Sequence, residues 1–274
     1  MPRLFARPEF WEVLDEVDRA LYCVRALQQL HPSWVFVGPT AALVYGLEIP
    51  EDRDRIWPLR IGASWGSRGR NTRYVVRQVV EGDDVTVVDH VRVTTIMRTA
   101  FDCMREMSFS DGLAIADSAL SSSGMTRQQM IDEMNEFRRT SRGGRHAMET
   151  ANYADAAARD GDESRLRAAI IEQGFQLPQL HVDVVSRDGS PLRASFAWQL
   201  EDGMWIAAEQ QSWRLDKLPK DDLSVRTILL PPKVTQDTNR LVEMLEAVGV
   251  PHASEPPQIG IAKPFTPTFS YPEP

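Results

Sequence analysis

Between Arg193 and Gln211 the chain alternates apolar and polar positions along two short arms. Ala194, Phe196 and Trp198 alternate with Ser195, Ala197 and Gln199 on the first; Met204, Ile206 and Ala208 alternate with Trp205, Ala207, Glu209 and Gln211 on the second. A period of two is the mark of strands with one buried face, and Glu201-Asp202-Gly203 supplies the turn between them. With a three-residue loop, Ser195 lies directly across from Glu209, and Gln211 follows on the same, more polar face.

Elsewhere the spacing of apolar residues is helical. Phe10, Val13, Leu14, Val17, Leu21, Val24 and Leu27 predict an amphipathic helix over residues 9–30. From Trp34 the chain reads as a short strand, a turn at Gly38, and a small-residue helix ended by Gly46 and Pro50. Strands are expected at Trp57 to Ile61, Tyr74 to Val80 and Val85 to Val93, and helices at Phe109 to Leu120 and Thr126 to Arg138. Thr126 and Gln129 have the spacing of a capping box. An alanine-rich helix from Ala147 to Ala158 follows, then a strand at Val225 to Leu230 and an amphipathic helix from Thr235 to Val248. Past Pro251 the prolines, with Phe265, Phe269 and Tyr271 between them, leave no period, so the tail is either disordered or laid as an extended arm.

A chain of 274 residues exceeds the usual size of one core. Glycines and charges cluster between about residues 140 and 162, which divides the chain into an α+β module at 1–145, a second domain at 146–250, and a proline-rich tail at 251–274. Hydrophobic content of 42% and charged content of 26% are ordinary for a globular protein. Cys23 and Cys103 lack metal-ligand spacing and fit a reducing cytoplasm, and neither a secretion signal nor a membrane span is expected. His31, His90, His146, His181 and His252 are scattered and read as ordinary surface or core histidines.

A net charge of −8 argues against strong, sequence-blind nucleic-acid binding, which comes from basic side chains displacing counterions. Two local arginine groups are the candidates for it: Arg68, Arg70, Arg73 and Arg77, and Arg138, Arg139, Arg142 and Arg145. Arginine suits phosphate through its bidentate fork, although solvated faces would look the same.

Glu163 in Asp-Glu-Ser-Arg-Leu-Arg, the Ser195 strand, Glu209-x-Gln211 and Asp237-x-x-Arg240-x-x-x-Met244-x-x-x-x-Gly249 together resemble the very-short-patch-repair-like branch of the restriction-endonuclease fold, over roughly residues 160–250. The resemblance implies an α/β restriction-endonuclease-like domain with a mixed sheet at 146–250, and a nuclease site at Glu163, Ser195, Glu209 and Gln211. Ser195 stands where that family has aspartate, and Gln211 where it has aspartate or lysine. Hydrolysis of this kind needs a hard divalent ion held by several oxygens, and two carboxylates hold magnesium poorly. Asp183 could replace the missing acid only if it shared the face of Ser195. A two-residue Asp188-Gly189 turn pairs Asp183 with Ala194 and turns it away, and a slip of one residue reverses that.

Thr40, Ala41, Ala42, Tyr45, Gly46 and Leu47, followed by Val93, Thr94, Arg98, Thr99 and Asp102, resemble two segments of AbiEi-type antitoxin-like proteins. The stretch before Trp34 is too short for the winged helix that such proteins often carry, and it leans acidic. Arg98 and Asp102, four apart on a helix, read as an ion pair or cap. The resemblances imply a catalytically degenerate, nuclease-like protein with a binding or regulatory role, its partner DNA or a toxin protein, without metal or cofactor. Two alternatives stand beside it: an active magnesium-dependent DNA endonuclease, and a protein-interaction module with no nucleic-acid role.

Overall fold

The computed structural model describes residues 4–50, 56–63, 71–79, 84–138, 141–185, 191–210 and 225–266. The chain divides into two compact units, Met1–Ala156 with Gly260–Pro274, and Ala157–Ile259. Each has its own apolar core. Among the described residues, no helix is long and apolar enough to cross a membrane.

In the first unit, the helix expected over 9–30 is two: α1 (Pro8–Glu12) and α2 (Glu16–Leu30). The break falls at Asp15, whose carboxylate accepts the Asp18 amide at 2.8 Å. An N-cap there satisfies an orphan donor and starts a new helix. α3 (Gly38–Tyr45) stops at Gly46, which adopts the left-handed φ of 69° that a glycine C-cap takes without strain. β1 (Leu59–Ala63) and β2 (Val75–Val79) pair in parallel. The single strand expected over 85–93 is instead a hairpin of β3 (Val85–Val88) and β4 (Val91–Thr94), turning at Asp89 and His90, both left-handed.

Helices α4 (Ile96–Met104), α5 (Phe109–Ser123), α6 (Arg127–Arg138) and α7 (Gly144–Ala151) follow. The Thr126–Gln129 box forms as the spacing predicts, with the Thr126 amide donating to Gln129 Oε1 at 2.8 Å and the Gln129 amide to Thr126 Oγ1 at 3.2 Å. α7 begins and ends earlier than the alanine pattern predicts, and its Ala147, Met148 and Ala151 enter the first core. For that reason the division falls after Ala156 rather than after residue 145. Gly143, at φ 81°, caps α7, and a Cβ there would lie 2.7 Å from the Arg105 carbonyl.

The tail is an arm over its described part, and it does not form a separate segment from residue 251. Ala253 donates to the Gly174 carbonyl in the second unit. From Gly260 the chain belongs to the first unit, where the Lys263 amide donates to the Arg105 carbonyl at 2.8 Å and the Arg60 guanidinium lies over the Phe265 ring at 4.8 Å.

The second unit is a mixed four-stranded sheet with helices. Its order is β5 (Gln179–Val185), β6 (Pro191–Gln199), β7 (Trp205–Glu209) and β8 (Val225–Leu229), with β5–β6 and β6–β7 antiparallel and β7–β8 parallel. α8 (Gly161–Glu172) and α9 (Thr238–Val248) contribute Leu166, Ile170, Leu241 and Leu245 to a core that takes Phe196, Trp198, Ile206 and Ala208 from the sheet. Ala197 and Ala207 belong to a smaller cluster with Val184 and Ala194. The alternation of Phe196, Ala197 and Trp198 between the two clusters is what the period of two predicts. The fold is therefore mixed α and β, with the mixed sheet in its second unit.

Candidate functional site

The β6–β7 turn forms as a tight loop: Leu200 donates to the Met204 carbonyl at 2.8 Å, and Gly203 takes a φ of 84°. The register Phe196↔Ala208 follows, which brings Ser195 opposite Glu209. Each oxygen of the Glu209 carboxylate accepts from Ser195. The Ser195 amide donates to Oε1 at 3.0 Å and its hydroxyl donates to Oε2 at 2.8 Å. Glu209 is 1% exposed and Ser195 4%. A buried carboxylate without donors would carry a large desolvation cost, and two convergent N–H and O–H groups offset it.

Glu163 is held by the start of α8. Asp160 is the N-cap and accepts the Glu163 amide at 2.8 Å, while Glu163 Oε2 reaches back to accept the Arg159 amide at 2.7 Å. That is the logic of a capping box, shifted one residue upstream. The same Oε2 lies 2.8 Å from His181 Nε2. Because a carboxylate only accepts, Nε2 carries the proton and donates. His181 Nδ1 is buried and has no hydrogen-bond partner among the described residues.

Of the positions matching a nuclease site, then, Glu163, Ser195 and Glu209 are all buried. His181 falls between the pairs Leu180↔Phe196 and Val182↔Ala194, in the same transverse row as Ser195. One row across the sheet therefore carries His181, Ser195 and Glu209, with Glu163 joined to its end through the imidazole. Gln211 lies outside the described residues.

The register of β5 corrects the expectation for Asp183. It pairs with Arg193, not with Ala194, because the ladder runs to Val185↔Pro191 and the connection spans residues 186–190 instead of a two-residue turn. Asp183 is exposed, while Ser195 and Glu209 are buried. Among the described residues no group of three or more His, Cys, Asp or Glu side chains is arranged to hold a metal ion.

His181 is more than the ordinary surface or core histidine that the sequence predicts, since its imidazole meets Glu163. Its backbone is left-handed at φ 51°, which no pattern of residue types announces. Of the arginine candidates, Arg68, Arg70 and Arg139 and the side chain of Arg138 lie outside the described residues. Arg73 is exposed, its guanidinium 4.7 Å from the Tyr74 ring, and Arg142 is exposed with its carbonyl accepting from Arg105 at 3.2 Å. Arg145 forms an ion pair with Glu149 at 2.7 Å.

The first unit holds a second polar cluster. Arg98 and Asp102 do pair, at 3.1 Å, and Asp102 also accepts from Arg105 Nε at 2.9 Å. Arg105 continues to Glu106 at 2.9 Å, and Glu106 meets Arg60 and Gln78. Burial pushes the Glu106 carboxyl above its ordinary range, with Arg60 and Arg105 pulling the other way. The segments at 40–47 and 92–102 meet here: Tyr45 donates to the Thr94 carbonyl at 2.9 Å, the Thr94 and Thr99 hydroxyls are 2.7 Å apart, and Thr40 Oγ1 accepts the Arg60 amide at 2.8 Å. Their polar side chains act as internal ties.

No protein-family profile matches the chain, and no solved structure matches it. The chain is similar to two Mycobacterium tuberculosis proteins, both described as uncharacterized: Rv2248 of strain ATCC 25618 / H37Rv and MT2308 of strain CDC 1551 / Oshkosh. Each is 31% identical over 129 residues, which is 47% of this chain and 46% of the relative. The match thus spans about half the length of each relative.

Proposed function

We propose that this chain is a nuclease-like protein that no longer hydrolyses nucleic acid and acts as a binding or regulatory component, in the manner of an antitoxin. The observation that carries this reading is the pair of hydrogen bonds from Ser195 to Glu209. A divalent ion in this position would have to displace an amide and a hydroxyl from a buried carboxylate, and Ser195 returns only a neutral oxygen. Glu163 supplies the other acid, with an oxygen already engaged by His181 and Arg159. Hard cations need more negative oxygen than this.

The partner reading favours protein over DNA. The chain carries a net charge of −8, and the exposed Arg145 is compensated by Glu149. Electrostatic affinity for phosphate depends on uncompensated cations.

Ser195→Asp tests the reading. Restoring the family's acid puts two carboxylates together, so this variant melts below the parent in EDTA and regains stability with millimolar magnesium or manganese, while the parent's melting temperature does not respond to either ion. A parent protein stabilised by magnesium to the same extent as the variant would overturn it.

A further inference from the structure

From Gly260 the chain lies on the first unit as an arm, and its described part, residues 260–266, is neither helix nor strand. Three contacts seat it. Gly260 presses on α7 so closely that a Cβ there would overlap Glu149 Oε2 and lie 2.9 Å from His146 Cα, which is helix backbone and cannot swing aside. The Lys263 amide donates to the Arg105 carbonyl at 2.8 Å, beside Gly143, where a Cβ would stand 3.2 Å from Lys263 Cβ. The Phe265 ring takes the Arg60 guanidinium at 4.8 Å. The seat therefore reads a glycine, a main-chain N–H three residues on, and an aromatic ring two residues beyond that.

The hold is slight. Lys263, Pro264 and Thr266 are exposed, and Ile261 is 78% exposed. Among the described residues, one main-chain hydrogen bond and one cation–π contact work against the entropy of ordering the whole arm. The seat is also incompletely answered. His146 donates from Nε2 to the Met107 carbonyl at 3.0 Å, which leaves Nδ1 a bare acceptor. His146 Nδ1 and Glu149 Oε2 are both buried, on the two residues beneath Gly260, and neither has a hydrogen-bond partner among the described residues. An occupant that leaves buried acceptors unmet forgoes part of what a site offers. Segments held in this way open locally, well below the free energy of global unfolding.

We propose that residues 260–266 are a releasable strap, and that the seat they cover on the first unit is a recognition site for an extended segment of a partner protein with the same spacing, a glycine and then an aromatic residue five positions on. The strap shows what the site takes. The floor at His146 and Glu149 admits no side chain at the glycine position, the Arg105 carbonyl asks for a main-chain N–H, and the Arg60 guanidinium offers its face to a ring. A helical segment cannot serve, because its main-chain N–H groups are spent internally. While the strap is closed it competes with the partner, so its opening sets how much of the site is free. The proposal does not rest on the nuclease-like reading, since all of these residues belong to the first unit.

The test uses the full chain and a synthetic peptide of residues 258–266, Gln-Ile-Gly-Ile-Ala-Lys-Pro-Phe-Thr. In the parent, hydrogen exchange at the Lys263 amide is protected but faster than in the core of the first unit. In Gly260→Val that protection is lost, and the variant binds the peptide with a dissociation constant of roughly a millimolar or below, the range of a short tether's effective concentration, while the parent binds it about tenfold more weakly. A peptide with valine at the glycine position does not bind, and one with serine for phenylalanine binds the variant about tenfold less well. Phe265→Ser, which removes only the ring over Arg60, takes the place of Gly260→Val if that variant fails to fold. Exchange at Lys263 that proceeds only through global unfolding would overturn the proposal, and so would an opened variant that does not take the peptide. A concentration-dependent dimer in light scattering that is lost in Gly260→Val would also overturn it, because it gives the seat to a second copy.

Discussion

The Asp102–Glu106 cluster of the first unit and the Glu163 and Glu209 carboxylates of the second are met by different donors. In the first, Asp102 and Glu106 are held by full cations, the guanidinium groups of Arg60, Arg98 and Arg105. In the second, Glu209 is held by an amide and a hydroxyl, and Glu163 by an amide and an imidazole N–H. A guanidinium network fixes geometry through charge, and removing one member leaves another charge buried and unpaired. Neutral donors satisfy a carboxylate without cancelling its charge. On the proposed reading, the second arrangement is what the exchange of a metal-binding acid for serine would leave, whereas the first ties a core together.

The sharpest way to break the comparison is Asp102→Ala. It strips both Arg98 and Arg105 of a partner and should cost about 3–5 kcal/mol, read as a lower urea midpoint with unchanged slope. A loss under about 1 kcal/mol would show the network to be no tighter than a surface pair. Glu209→Ala, by contrast, takes the acceptor from the amide and hydroxyl of Ser195, at about 1–3 kcal/mol in the same assay. If it cost more than Asp102→Ala, the contrast between the units would be reversed.

The smallest effect concerns pH. Burial raises the Glu106 carboxyl above its ordinary range, so its contribution is fully present below the unfolded value and is lost as pH rises through the folded one. Glu106→Gln removes that titration. Its stability relative to the parent should therefore improve as pH is raised from 4 toward neutrality, roughly the carboxylate range. A relative stability that falls over the same interval would mean that the arginines outweigh burial.

What the sequence could disclose follows from how local each signal is. The Ser195–Glu209 pairing was legible because one turn, Glu201-Asp202-Gly203, sets the register and the apolar period fixes the face. The Asp183–Arg193 register was not, because it depends on a longer connection whose length no alternation encodes. Arg98–Asp102 was visible at helical spacing. The link from Arg60 to Glu106 joins residues 46 apart and was not. His181 has no such signal, because its contact with Glu163 depends on a left-handed backbone and on a helix residue 18 positions away. The site positions at Glu163 and Glu209 were found through the resemblance to a nuclease branch, while the donors that occupy their carboxylates emerged only from the structure.

The most direct test of the central claim is nicking of supercoiled DNA by the purified chain in magnesium and in manganese. The account predicts no cleavage above that of a Glu209→Ala control with either ion. Cation-dependent nicking by the parent that disappears in Glu209→Ala would contradict it.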